Sequence, residues 1–167
     1  MEIRSLNADD AGDWRRLRLE ALQGDPEAFS SSVEELEVLA LEDVRRRLSA
    51  GGDSFVMGAF DESKLLGMAG FHRESGPKLR HKGRIWGVYL TPAKRGSGIG
   101  RAMLEALLKR GSGISGIEQI SLSVTKSQAA AIALYRSLGF VSFGCEPRAL
   151  RIGDRFIDED YMVLRLR

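Results

Sequence analysis

A glycine-rich loop between a strand and a helix most limits how this chain can fold. Residues 83–90, GRIWGVYL, carry the aromatic and β-branched side chains typical of a strand, and Pro92 ends that run. From residue 98 to residue 110, apolar side chains return at helical spacing. The loop between them has glycines at 96, 98 and 100. This order predicts a strand, a tight loop and a helix that begins inside the glycines.

Such a loop is suited to binding an anion. The first N–H groups of a helix have no partner within the helix, and the helix dipole adds partial positive charge there. Glycines let an anion approach the backbone closely, and Lys94 and Arg95 add charge beside them. The dinucleotide fingerprint G-x-G-x-x-G fails because Arg101 stands at its last glycine position. The nucleotide-triphosphate loop fails as well, since its lysine and hydroxyl residues are missing.

Composition excludes several other classes of protein. The chain has 167 residues, 43% of them hydrophobic, which is ordinary for one globular domain spanning residues 1–167. A net charge of +2 without a basic block argues against nucleic acid as a partner. No apolar run is long enough to cross a membrane, so no membrane partner is expected.

Cysteine and histidine are too few for disulfide or metal chemistry. Cys145 is the single cysteine, which favours a reducing, cytoplasmic setting. It falls in a predicted strand, where a buried structural thiol is the expectation. His72 and His81 have no histidine or cysteine partners at ligand spacing, so no metal site is predicted.

The remaining patterns predict a mixed α/β (α+β) fold. Hydrophobic alternation and turn residues predict strands at 2–6, 54–60, 64–73, 83–90, 117–124, 140–150 and 155–166. Helical periodicity predicts helices at about 10–23, from 41, 98–110 and 129–138. The segment 29–40 is expected to contain a loop. The last two strands form a hairpin with its turn at Gly153 and Asp154.

Two sequence blocks carry a family resemblance. VYLTPAKRGSGIGRAMLEALL, with its R-x-x-G-x-G loop, resembles the pyrophosphate-binding motif of the GNAT acetyltransferase superfamily. ISLSVTKSQAAAIALYRSLGF is similar to the family's fifth strand and following helix, ending in the Y-x-x-x-G-F signature of residues 135–140. The resemblance implies a single GNAT domain with a mixed sheet of about six to seven strands. It also implies about four helices and splayed fourth and fifth strands.

The same resemblance implies direct acetyl transfer from acetyl-CoA to a primary amine of a small molecule, peptide or protein. Val88, Tyr89 and Leu90 would then contact pantetheine, with Gln128 and Tyr135 as further cofactor contacts. The pyrophosphate would be wrapped by the loop residues Arg95, Gly96, Ser97, Gly98, Ile99, Gly100 and Arg101. No metal is implied.

The resemblance also suggests catalytic roles. Tyr135 matches the general acid that protonates the departing thiolate, although packing in the core would also explain a tyrosine there. The backbone N–H of Leu90 is the candidate oxyanion donor. No general base is identifiable, because Ser123 stands where some relatives carry glutamate.

Two acidic clusters are candidates for attracting a cationic amine or relaying a proton, although a solvated acidic face is the better explanation for each. One is Glu34 with Glu35 in the early loop, and the other is Asp158 and Glu159 with Asp160 on the last strand. Thr125 and Gln128 stand where many relatives have asparagines. A non-catalytic acyl-CoA-binding module and transfer of a larger acyl group therefore stay open as alternatives. A homodimer through the last strands is a further possibility.

Overall fold

The computed structural model describes residues 1–166 as a seven-stranded mixed sheet with helices on both faces. Its strands are β1 Glu2–Ser5, β2 Ser54–Asp61, β3 Lys64–Arg73, β4 Lys82–Leu90, β5 Gln119–Thr125, β6 Val141–Ile152 and β7 Arg155–Arg165. They lie in the order β1-β2-β3-β4-β5-β7-β6. The predicted mixed sheet is confirmed, and the last hairpin turns at Gly153 and Asp154 as expected.

Only the β4–β5 pair is parallel within the described chain, and it is short. Residues Lys82–Arg84 pair with Gln119–Ser121, and no pairing continues beyond them. β4 runs on to Leu90 and β5 to Thr125, so the two strands diverge over their carboxyl-terminal halves. The predicted splay of the fourth and fifth strands is confirmed.

A bulge in β4 accounts for the divergence. The register between β3 and β4 shifts between Met68 and Gly70, opposite Gly87. Gly87 has a φ of +61°, a conformation that glycine adopts without steric penalty. A bulge bends its strand and increases the local twist. Because the bulge lies just after the last paired residue, it turns β4 away from β5.

Five α-helices cover the sheet. They are α1 Ala11–Gly24, α2 Val33–Glu37, α3 Leu41–Ser49, α4 Ile99–Ser112 and α5 Ala129–Ser137. Buried side chains of α1, α2 and α3 form one core, which includes Leu17 and Val44. Met103 and Leu107 of α4, with Tyr135 of α5, belong to a second core. The gap between β4 and β5 lies between these two cores.

The structure has five α-helices where about four were expected, and the additional one, α2, lies in the segment 29–40 that was expected to contain a loop. A capping box explains it: Ser32 caps the Glu35 N–H, and the Glu35 carboxylate accepts the Ser32 N–H at 2.7 Å. The Ser-x-x-Glu pattern that marks the start of α2 is visible in the sequence. A helix of five residues is nevertheless too short to show a clear hydrophobic periodicity. Glu34 and Glu35 consequently lie on a helix.

The expectation of a buried Cys145 is wrong, because its thiol is exposed. β6 is the outermost strand of the sheet, and residues 141–148 are exposed along it. Residues 141–148 belong to neither hydrophobic core. The alternation of apolar and polar side chains along this part of β6 therefore does not correspond to a buried face. Among residues 1–166, every helix is too short or too polar to span a membrane.

Candidate active site

The divergence of β4 and β5 opens a cleft of about 510 Å³, called here the donor cleft. Its walls are the second half of β4, the glycine loop before α4, the end of β5 and one face of α5. The predicted cofactor residues that line it are Val88, Tyr89, Leu90, Arg95, Gly96, Gly98, Gly100, Arg101, Gln128 and Tyr135. Residues from three separate segments of the chain thus meet in one cavity.

Two of the predicted cofactor residues do not line this cleft. The Ser97 hydroxyl donates to the Lys94 carbonyl at 2.6 Å, so it stabilises the loop from within. Ile99, the first residue of α4, packs against the core. The backbone of Ser97 still belongs to the loop, and that of Ile99 begins α4.

The glycines of the loop have both the conformation and the open space that a close ligand requires. Gly96 and Gly98 have φ values of +75° and +83°. A Cβ at either position would meet no atom within 4 Å. Gly98 is also the N-cap of α4 and supplies no side-chain cap. The first N–H groups of this fourteen-residue helix are therefore available to an anion.

The backbone of Leu90 faces the gap between the strands. Thr91 donates its N–H to the Leu66 carbonyl of β3 at 2.9 Å. Successive residues of a strand direct their backbone groups to opposite edges, so the N–H of Leu90 points away from β3. Its carbonyl lies on the same edge and accepts Arg95 Nε at 3.0 Å. The splay leaves this N–H without a β5 partner.

Charged side chains gather at one end of the cleft. The Arg95 guanidinium lies 3.7 Å from the Asp25 carboxylate and 5.5 Å from the centre of the Tyr89 ring. Asp25 also accepts a hydrogen bond from Gln128 Nε2 at 2.9 Å. Asp25 is not among the site residues predicted from the sequence. No local sequence pattern indicates this contact, because Gln128 is 103 residues away from Asp25 in the chain.

Tyr135 lies on α5 with its side chain 6% exposed and lines the donor cleft. Its ring meets Phe140 edge-on, with 5.9 Å between ring centres. Burial raises the pKa of the Tyr135 phenol, since the phenolate would lose its hydration. The hydroxyl is therefore protonated at neutral pH. It belongs to the core and to the cleft at once.

The four predicted substrate carboxylates are dispersed. Glu34 is exposed on α2, and Asp158 accepts the Arg148 N–H at 2.8 Å; neither lines the donor cleft. Glu35 lines a second cleft on the α1 side of the sheet. Glu159 is half-buried on β7, directly opposite Thr125 of β5.

Glu159 has an environment unlike that of the other three. Burial raises its pKa, the nearby Glu146 carboxylate adds to the rise, and Arg84 and the Ser123 hydroxyl act in the opposite direction. Ser123 lines the donor cleft. A carboxylate with a raised pKa therefore lies next to the cleft on β7. The family resemblance pointed instead to β5, where Ser123 stands in place of the glutamate of some relatives.

The donor cleft fits the acetyl-CoA that the sequence patterns imply. Its lining is mostly apolar, which suits a pantetheine arm. The helix N-terminus and bare glycine backbone suit a pyrophosphate, and Arg95 and Arg101 supply positive charge beside them. The free backbone edge at Leu90 suits an amide group or an oxyanion.

Comparisons with known proteins agree with this reading. Residues 14–140 match the model of the Acetyltransferase (GNAT) family. N-alpha-acetyltransferase RimI of Mycobacterium tuberculosis is 36% identical over 108 residues, which are 64% of this chain and 64% of that protein. L-methionine sulfoximine/L-methionine sulfone acetyltransferase of Pseudomonas aeruginosa is 33% identical over 79 residues, covering 47% of this chain and 45% of the relative.

The fold also has a close counterpart among solved structures. The yncA protein of Salmonella typhimurium, a putative acetyltransferase solved with its cofactor acetyl-CoA, superposes with a TM-score of 0.85. That match covers 100% of this chain and 94% of the other at 23% identity, so it shows the fold. The chain spans less than two thirds of the length of the curated relatives named above. With the family model matching most of its length, this chain belongs to the GNAT family of acetyltransferases, whose acyl donor is acetyl-CoA.

Proposed function

We propose that this protein transfers an acetyl group directly from acetyl-CoA to a primary amine of a small molecule, peptide or protein. The observation that carries the proposal is the meeting of three features in the donor cleft. These are the glycine backbone before α4, the unpaired N–H of Leu90 and the buried phenol of Tyr135. Family membership supports the class of reaction.

In the proposed reaction the amine nitrogen forms a bond to the thioester carbon, and the carbon–sulfur bond breaks. Leu90 donates its N–H to the carbonyl oxygen as negative charge develops on it. Tyr135 gives its proton to the departing thiolate, a role that its protonated state at neutral pH allows. The loop from Arg95 to Arg101 holds the pyrophosphate, while Val88, Tyr89 and Gln128 contact the pantetheine arm.

Glu159 is our candidate for the general base. An alkylamine has a pKa near ~10.4 and must lose a proton before it attacks. The raised pKa of the Glu159 carboxyl brings it closer to the range in which a carboxylate accepts protons efficiently. Ser123 would relay the proton, because it lines the cleft and lies beside Glu159. Of the other predicted substrate carboxylates, Glu35 would attract the amine, since it lines the second cleft.

We extend the proposal to the whole protein. Residues 1–167 would act as one domain in the cytoplasm, and two copies would associate through the exposed edge of the sheet. Support for the dimer comes from Val141, Phe143 and Phe156, which are 59%, 63% and 44% exposed on β6 and β7. Sedimentation of the purified protein would test it. A monomer at the highest soluble concentration would exclude the dimer.

The reaction is tested by incubating the protein with acetyl-CoA and a panel of amines. The panel contains free amino acids, amino acid amides, short peptides and alkyl diamines. We expect CoA thiol release that depends on the amine, with an N-acetylated product of the matching mass. Calorimetric binding of acetyl-CoA without turnover of any amine would instead indicate a non-catalytic acyl-CoA-binding module. Turnover with longer acyl donors only would indicate transfer of a larger group.

A further inference from the structure

A second cleft, called here the acceptor cleft, lies on the opposite side of the sheet from α4 and α5. It has a volume of about 520 Å³ and is bounded by α1, α2, α3 and the adjacent strands. The polar and aromatic side chains that line it include Trp14, Arg18, Glu35, Arg47, His72 and Trp86. Trp86 lines both this cleft and the donor cleft. The two cavities therefore share a wall at β4.

Two residues that line the acceptor cleft each carry a buried hydrogen-bond donor that has no partner. The donors are Nε1 of Trp14 and Nη1 of Arg18, and no other buried side-chain nitrogen or oxygen in residues 1–166 lacks a partner. The two residues are four positions apart on α1, so they lie on the same face of that helix. Buried polar groups in folded proteins are almost always hydrogen-bonded. Two residues with orphaned donors thus line one cavity, which favours a ligand with acceptor atoms at this place.

The charge on Arg18 is only partly compensated, by the nearby Glu35 carboxylate. Its Nη2 donates to the Ser31 hydroxyl, and its guanidinium lies 4.7 Å from the centre of the Phe29 ring. Glu35 acts on Arg18 through its charge without a hydrogen bond to it, and the Glu35 carboxylate accepts the Ser32 N–H. Burial lowers the pKa of Arg18 to about 10, with Glu35 opposing the shift. A half-buried cation with this little compensation is stabilised further when an anion pairs with it.

Arg18 stands where the two clefts meet. Its Nη1 lies 3.3 Å from the position that a Cβ on residue 87 would occupy. Gly87 is the bulge residue of β4 and lines the donor cleft. An anionic group on Arg18 is consequently within a few bond lengths of the β4 backbone, where the acetyl group is transferred in the proposed reaction.

From these contacts we propose that the acceptor carries a carboxylate beside its reacting amine, and that Arg18 binds this carboxylate. The proposal rests on the acetyl transfer proposed above and specifies its substrate class as free amino acids. A guanidinium matches a carboxylate in shape and can donate two parallel hydrogen bonds to it. The N-terminus of a peptide offers a neutral amide in the same place and would leave the charge of Arg18 unpaired. Diamines would bring a second positive charge toward it.

The test compares three acceptors with one side chain: an L-amino acid, its primary amide, and a dipeptide beginning with that residue. With wild-type protein we expect kcat/KM for the free amino acid to exceed kcat/KM for the amide and for the dipeptide by roughly 10- to 100-fold. Hydrogen bonds between charged groups contribute a preference of this size. In Arg18→Gln this ratio should fall to near one. Arg18→Lys should keep part of the preference, because it keeps the charge and loses the paired geometry.

Three controls separate this proposal from the reaction itself. Arg46→Gln removes an exposed arginine of α3 that lines neither cleft, and it should keep the wild-type ratio. Acetyl-CoA affinity by calorimetry should be unchanged in Arg18→Gln and the thermal midpoint should not fall, which shows that the fold and donor cleft are intact. Calorimetry of the free amino acid against its amide in the presence of CoA gives a readout without turnover.

The outcomes are distinguishable. Acetylation of all three acceptors at similar kcat/KM by the wild type would overturn the carboxylate proposal and leave the acetyl transfer standing. A carboxylate preference that persists in Arg18→Gln would overturn the role of Arg18. Failure to acetylate any amine, with acetyl-CoA still bound, would contradict the proposed function itself.

Discussion

Gln128 at the start of α5 donates a hydrogen bond to Asp25 at the end of α1, with 2.9 Å between Nε2 and Oδ1. The two helices belong to cores on opposite faces of the sheet. Their ends meet because β4 and β5 have separated between them. Asp25 lies 3.7 Å from Arg95 as well, so one carboxylate joins both sides of the donor cleft.

The charge of Asp25 should weaken binding of the anionic donor. In Asp25→Asn the hydrogen bond with Gln128 is retained while the negative charge next to Arg95 is removed. We expect acetyl-CoA to bind about threefold more tightly at low salt, with the gain shrinking as salt screens exposed charges. Calorimetry at two ionic strengths measures this. Weaker binding in the variant would mean that the carboxylate is needed to position Arg95.

The glycines of the loop that have positive φ should contribute both to the stability of the fold and to acetyl-CoA affinity. Gly98→Ala places a side chain at a φ of +83°, which destabilises the fold by roughly 1 kcal/mol. Its Cβ would also stand at the helix N-terminus, so we expect acetyl-CoA affinity to fall about tenfold or more. Gly153→Ala is the matched control, since Gly153 has a φ of +59° and open space in the β6–β7 turn. It should lose similar stability, measured by urea unfolding, at unchanged affinity.

Tyr135→Phe should separate packing from catalysis. Removing the hydroxyl leaves the ring in the core against Phe140, so the thermal midpoint and acetyl-CoA affinity should hold. We expect kcat to fall by roughly 10²-fold, the usual contribution of a general acid. Because burial raises the pKa of this phenol, the wild type should show no loss of activity from its ionisation near neutral pH. Full activity in Tyr135→Phe would refute the assigned role.

Glu159 should produce an acidic limb in the pH profile. The base works only when ionised, so kcat/KM should fall as pH drops through its pKa, which lies above the usual value for a glutamate. Glu159→Gln should remove that limb and lower kcat/KM by about 10²-fold. Asp154→Asn, an exposed carboxylate in the β6–β7 turn, is the control and should keep the wild-type profile.

The same raised pKa predicts an opposite effect on stability. Since folding favours the protonated form of Glu159, its contribution is fully present below the pKa of the unfolded chain. The contribution is lost as pH rises through the folded pKa. Glu159→Gln should therefore be slightly more stable than the wild type at neutral pH. Denaturant unfolding at pH 4 and pH 7.5 tests this, and equal differences at both pH values would contradict it.

Local sequence signals were sufficient for most of the fold and for the donor side of the site. The strand run of residues 83–90, the glycines and the periodic helix after them each depend on nearby residues, so they predicted β4, the loop and α4. The short helix α2 was missed because five residues give too little periodicity. The exposure of Cys145 depends on which strand lies at the sheet edge, and alternation along one strand does not reveal that.

The contacts between distant segments were decided only by the tertiary structure. The sequence by itself determined that glycines precede a helix and that Tyr135 follows β5. The β4 bulge at Gly87 separated the strands, and this brought Asp25 to Gln128 and left Arg18 unpaired beside the cleft. The contact between Asp25 and Gln128 depends on the order of the strands in the sheet. The environment of Arg18 depends on residues from several elements that pack around its charge. They carry no local pattern, because the residues that form them are tens of positions apart in the chain.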